Sequence, residues 1–155
     1  MKLTSETLHD HFGDLWPAHN HAFTSLLIVC REHFDGDLDE MLILSIIGDR
    51  TLAAQRFQGL SYDDFRSGRR NDGRRKVINV QSIADCSGIP RETVRRKVAR
   101  LIERGWVEKR GRGGLLATEQ AAVELEPATR ATFEYFLAVG SALLKLTGSS
   151  NDREE

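Results

Sequence analysis

The sequence predicts a mainly α fold with a small β wing, set between N- and C-terminal helices. Three observations predict it. Apolar residues recur at helical spacing over 19–33, 38–57 and 127–146. Between these runs, residues 77–118 change to a strand, helix, turn, helix and hairpin pattern, with Gly88, Pro90 and Gly105 at the joints. Charge is segregated as well: Arg66 to Arg112 holds 15 Lys or Arg against 5 Asp or Glu, so a chain of net charge −1 divides into a basic region and an acidic remainder.

Residues 1–17, closed by Trp16 and Pro17, read as a short helix or an arm. The next helix, to His33, places Phe23, Leu26, Leu27 and Cys30 on one side, and the acidic, Gly-containing stretch Asp35 to Asp37 ends it. A second helix runs from Leu38 to about Phe57; its MLILSII core is apolar on nearly every side, as expected of a helix buried among neighbours. These N-terminal helices, 1–58, are assigned to dimerisation and support. Residues 59–76 mix Gly, Ser, Asp and Arg with little apolar periodicity and read as a basic flexible loop.

From Asn79 each position has a local reason. Asn79 caps a helix whose buried face carries Ile83 and Ala84. Gly88 turns the chain at low conformational cost, Ile89 anchors the turn, and Pro90 is pre-set for the start of a second helix. In that helix Val94, Val98, Leu101 and Ile102 form an inward stripe, leaving Glu92, Thr93, Arg96 and Arg100 on the outer face and Arg91, Arg95 and Lys97 on its flanks. Gly105 ends the helix, Trp106 fills the core, and Val107 begins a hairpin whose tip carries Lys109, Arg110 and Arg112. Thr118 caps a short helix, and Pro127 opens the last long one. Its broad apolar face of Phe133, Phe136, Leu137, Val139, Leu143, Leu144 and Leu146 is more than a terminal helix covers alone, which points to a second subunit. Residues 119–147 are therefore read as C-terminal dimerisation helices and 148–155 as a disordered tail.

This arrangement is the grammar of a winged helix-turn-helix over 77–118, and double-stranded DNA is the partner it suits. An arginine projecting from a helix in the major groove can read guanine through paired hydrogen bonds. Arg96 and Arg100 are the expected base readers, with Glu92 able to accept from a cytosine amino group and Thr93 to touch a thymine methyl. Arg91, Arg95, Lys97, Arg74, Arg75 and Lys76 are expected on phosphates. The wing residues Lys109, Arg110 and Arg112 suit a narrow minor groove or the backbone.

The run I-A-x-x-S-G-I-P-R-E-T-V, then L-I-E-R-G-W-V and a hairpin ending A-T-E-Q, resembles bacterial winged-helix regulators, and the whole chain resembles the MarR family most. The R-E-T-V stretch is similar also to the DNA-binding domain of the Crp family, but no cyclic-nucleotide barrel fits upstream. The resemblance implies a homodimer binding a pseudo-palindromic operator, with repression as the simplest outcome; it names no effector. A winged-helix adaptor that grips another protein is the alternative.

Other classes find less support. There is no phosphate-cradling loop and no nucleophile with a base, so an enzyme is not expected, nor a cofactor. The histidines His9, His11, His19, His21 and His33 cluster early, but His-x-His on a helix diverges by roughly 200° and no paired CxxC accompanies it, so no metal site is expected. Cys30 and Cys86 lie far apart and read as reduced thiols, with Cys86 a small core residue or, if exposed, an oxidant sensor. No apolar run reaches the ~18 residues of a membrane span and the first ten residues lack a signal-like centre, so a cytoplasmic protein is expected.

Overall fold

The computed structural model describes residues 3–51, 59, 61–66 and 76–148. It is mainly helical with one small antiparallel sheet. In chain order the elements are α1 (Ser5–Asp10), α2 (Phe12–His33), α3 (Leu38–Thr51), α4 (Tyr62–Arg66), α5 (Val80–Ser87), α6 (Arg91–Glu103), β1 (Val107–Arg110), β2 (Gly114–Ala117), α7 (Glu119–Glu124) and α8 (Glu126–Gly148). The chain divides into two compact units, one made of the residues up to His33 and from Pro127 onward, the other of Phe34–Glu126. No described helix is long and apolar enough to cross a membrane.

The Phe34–Glu126 unit owns a closed core. Ile43, Ile47, Ile83, Val94 and Leu101 are fully buried, and Phe34, Leu44, Ile78, Ala84, Val98, Trp106, Val107, Leu115 and Ala121 complete the cluster. The helical period accounts for the choice: Val94, Val98 and Leu101 lie on one side of α6, and Ile43, Leu44 and Ile47 on one side of α3. The caps are local. Asn79 accepts a hydrogen bond from the Ser82 amide at 2.9 Å to start α5, and Thr118 accepts from the Ala121 amide at 3.2 Å to start α7 while its hydroxyl donates to the Gly105 carbonyl at 2.6 Å. Gly88 closes α5 at φ 73°, a left-handed conformation that costs a side-chain-bearing residue about 1–2 kcal/mol. In the sheet Val107 faces Ala117 and Arg110 faces Gly114, and Ile78 adds a single bridge to Leu115 where the sequence predicts a strand. Thr51 joins helix to sheet: its hydroxyl donates to the Ile47 carbonyl at 2.8 Å and accepts from the Ala117 amide at 3.1 Å.

The other unit contains α1, α2 and α8, and no described residue in it is buried. Its order comes from an aromatic ladder: Phe12 stacks on Trp16 at 5.0 Å, Trp16 meets His19 at 5.2 Å, and His19 stacks on Phe23 at 5.3 Å. From α8, Tyr135 packs edge-on to His19, and its hydroxyl lies 3.1 Å from His19 Nδ1.

Several sequence expectations change. α2 runs through Pro17 instead of breaking there. Pro17 sits in the second turn, where it forfeits one backbone hydrogen bond, and the Phe12–Trp16–His19–Phe23 ladder spans the position. α3 is not apolar-buried all round, since Leu42 is exposed, and it packs on α5, α6 and β2 within the Phe34–Glu126 unit. Its Ile43, Leu44 and Ile47 complete that core, so α3 groups with the hairpin unit and not with the N-terminal helices; α7 does likewise through Ala121. Within the predicted loop 59–76, Tyr62–Arg66 form α4. The expected extension of α3 to Phe57, the arginines Arg69, Arg70, Arg74 and Arg75, and the tail beyond Gly148 lie outside the described residues.

Candidate nucleic-acid interface

The candidate site is the outer face of α6 together with the β1–β2 turn, both held by the core of the Phe34–Glu126 unit. Because Val94, Val98 and Leu101 are buried, helical geometry turns Glu92, Arg95, Arg96 and Arg100 outward; these four are exposed, and so is Arg91, the first residue of the helix. Thr93 is half-buried. In the hairpin Lys109 and Arg110 of β1 and Arg112 of the turn are exposed.

The cations on α6 are not equivalent. Arg91 and Arg96 make no ion pair among the described residues. Arg95 donates to Glu92 through Nε at 2.9 Å and Nη2 at 2.5 Å. The Arg95 hydrogen bond holds the Glu92 carboxyl below its ordinary range, and Glu92 in turn raises Arg95, so both stay ionised. Arg110 is likewise joined to Glu108, at 3.0 Å.

Lys97 departs from the expectation. It is buried, and its ammonium donates to both carboxylate oxygens of Asp37, with Oδ1 at 2.6 Å. The cause is position: Lys97 lies between Val94 and Leu101 on the inward side of α6, where only a carboxylate makes its charge tolerable. A phosphate contact by Lys97 is therefore corrected to an internal ion pair. Arg100, expected as a base reader, is half-exposed and turns back toward the same acids, its Nη1 lying 3.4 Å from Asp37 Oδ2 and its Nε 3.4 Å from Glu40 Oε2.

These acids were absent from the sequence expectation. Asp37 caps α3, accepting from the Glu40 amide at 3.0 Å. Burial raises its carboxyl, but the Lys97 hydrogen bond, the Glu40 amide and the charges of Lys97 and Arg100 outweigh burial and hold it below the ordinary value. Glu40 is fully buried; its oxygens have no hydrogen bond of good geometry and rest on charge alone, with Arg104 Nη1 3.5 Å from Oε1. Arg104 also covers the Trp106 ring at 3.8 Å, and Trp106 Nε1 donates to Glu124 at 2.6 Å. A hydrogen bond from Gln120, then that from Trp106, lower the Glu124 carboxyl. An acidic seam from α3 thus fixes the rotation of α6 about its axis, and with it the direction in which Arg96 projects.

Lys76, exposed ahead of α5, shares an open cavity with Arg50, Arg112 and the exposed Cys86, which is not a core residue. The buried face of α5 is held by Ile83 and Ala84, and Cys86 lies to one side of it. Arg74 and Arg75 lie outside the described residues. Among the described residues no three His, Cys, Asp or Glu side chains converge as metal ligands would. No family model, curated protein or solved structure matches this chain.

Proposed function

We propose that the chain is a sequence-specific, double-stranded-DNA-binding transcription regulator of the winged helix-turn-helix kind, MarR-like in organisation, acting as a homodimer. α6 is the recognition helix and enters the major groove; the β1–β2 hairpin is the wing and meets the adjacent minor groove or backbone. The observation that carries the reading is the exposed run Arg91, Arg95, Arg96 and Arg100 on a helix whose opposite side is locked into a core. Arg96, outward and without an ion pair among the described residues, is the principal base reader.

The homodimer is supported by α2 and α8, which leave Phe136, Leu137 and Leu144 at 61%, 63% and 72% exposure with no core of their own. A second copy covering them would present two recognition helices to a pseudo-palindromic operator, and occlusion of a promoter is the simplest regulatory outcome. One observation favours the adaptor reading: Glu92, Asp37, Glu40 and Glu108 already engage Arg95, Lys97, Arg100 and Arg110, which lowers the charge offered to phosphate.

The two separate in a mobility-shift assay with site-selected duplex at 50 and 200 mM salt. Contacts to several phosphates make affinity fall steeply across that interval. Arg96→Ala relaxes base preference, by about 1–3 kcal/mol at its position, while Arg110→Ala weakens all sequences alike. Absence of binding at low salt leaves the adaptor.

A further inference from the structure

Three cations from separate elements line one open cavity of about 290 Å³: Arg50 in the last turn of α3, Lys76 ahead of α5, and Arg112 in the hairpin turn. Among the described residues no carboxylate lines it, and none of the three makes an ion pair. This is unlike α6, where most cations already have an acid. Asn79 and Ser82, the cap and first turn of α5, form part of the wall and add the positive end of a helix to the field.

The cavity's width depends on Gly114, at its edge: a Cβ there would stand 2.8 Å from Val77 Cβ and 2.6 Å from the Arg110 carbonyl oxygen. Close passage of β2 therefore keeps Arg112 near the start of α5. Three like charges around one opening repel each other until an anion enters, and donors arriving from three sides suit the several oxygens of a phosphoryl group better than a planar carboxylate.

We propose that this cavity is a phosphate seat, filled by a backbone phosphodiester of the duplex; the inference rests on the DNA-binding reading and adds Arg50 and Ser82 to its contacts. The seat engages backbone and not base, so it contributes affinity and register without sequence preference.

Cys86 is exposed and lines the same cavity, its thiol donating to the Ile83 carbonyl at 3.4 Å, and alkylation of that thiol serves as a footprint. In a Cys30→Ser background, the rate of Cys86 alkylation by iodoacetamide is measured alone, with site-selected duplex, with inorganic phosphate, and with chloride at matched ionic strength. In parallel, duplex affinity is followed against salt for wild type, Arg50→Ala and Arg50→Lys. Arg50 is exposed, and thermal unfolding of each variant is measured alongside as the control for the fold.

The expected result is slowed alkylation with duplex. Arg50→Ala removes one contact per subunit, so for the dimer it should flatten the log–log salt slope by about 1.8 and lower affinity about sixtyfold at 0.1 M salt, the factor two released counterions contribute relative to 1 M; Arg50→Lys should restore both. Duplex binding with an unprotected Cys86 and an unchanged slope in Arg50→Ala overturns the seat and leaves the DNA reading standing. If no duplex binds, the DNA reading fails. Protection by inorganic phosphate but not by chloride would then assign the seat to a free phosphorylated ligand, and protection by neither would overturn it.

Discussion

The two units use the same aliphatic and aromatic residues to different ends. In the Phe34–Glu126 unit Ile43, Ile83, Val94 and Leu101 are at 0% exposure, whereas in the helices of the other unit Leu137 and Leu144 remain 63% and 72% exposed. Three helices crossing over a hairpin enclose a volume; α2 and α8 share a ladder of rings, and no described residue of α1, α2 or α8 is buried. Apolar content alone therefore does not make a core. It does so where elements approach from several directions, as α3, α5, α6 and the hairpin do, and otherwise it leaves apolar side chains on the surface.

Substitutions that should separate the units can be ranked. The largest effect is expected from Leu101→Ala, which deletes a fully buried side chain and should cost about 4 kcal/mol in denaturant unfolding, independent of protein concentration. Next is Asp37→Ala, which leaves the Lys97 ammonium buried without its partner and should cost about 3 kcal/mol. The same carboxyl sets an acid limit. Its folded-state pKa is depressed, so its contribution is complete above the ordinary carboxylate range and disappears as pH falls through the lower folded value. Unfolding measured from pH 6 to pH 2 should show this loss in wild type and a shallower profile in Asp37→Asn.

The exposed unit responds differently. Leu144→Ala should weaken self-association by about 1.5–3 kcal/mol, the worth of burying one such side chain, seen by sedimentation as a dilution-dependent shift, with unfolding of the Phe34–Glu126 unit unaltered. A monomer at every concentration in the wild type would break the comparison. The smallest effect is Asn79→Ala, which removes one helix cap and should lower stability by about 1 kcal/mol.

Much of the Phe34–Glu126 unit was legible because its determinants are local. Asn79 and Gly88 act on neighbours within four residues, Thr118 caps α7 three residues on, and the Val94, Val98 and Leu101 stripe follows from helical period. The charge partners were not legible. Lys97 meets Asp37 across 60 residues and Arg104 meets Asp35 across 69, and neither pairing leaves a trace in spacing. An inward lysine looks like an outward one in a basic run until the helix is oriented against α3. Pro17 shows the converse: a strong local signal for a break yields to an aromatic ladder assembled along α2. The phosphate seat joins Arg50 to Arg112 through the fold alone, so the sequence offers Lys76 and Arg112 singly and Arg50 not at all.

Each unit holds one of the chain's two tryptophans, Trp106 at 2% exposure and Trp16 at 50%. The indoles sit in contrasting solvents, so their fluorescence divides the molecule optically. A blue-edge signal follows melting of the Phe34–Glu126 core, while red-edge emission and its quenching by iodide follow whatever happens along α2. Trp106→Phe and Trp16→Phe would assign the two bands, and one titration could then time events along α2 against the loss of the Phe34–Glu126 core.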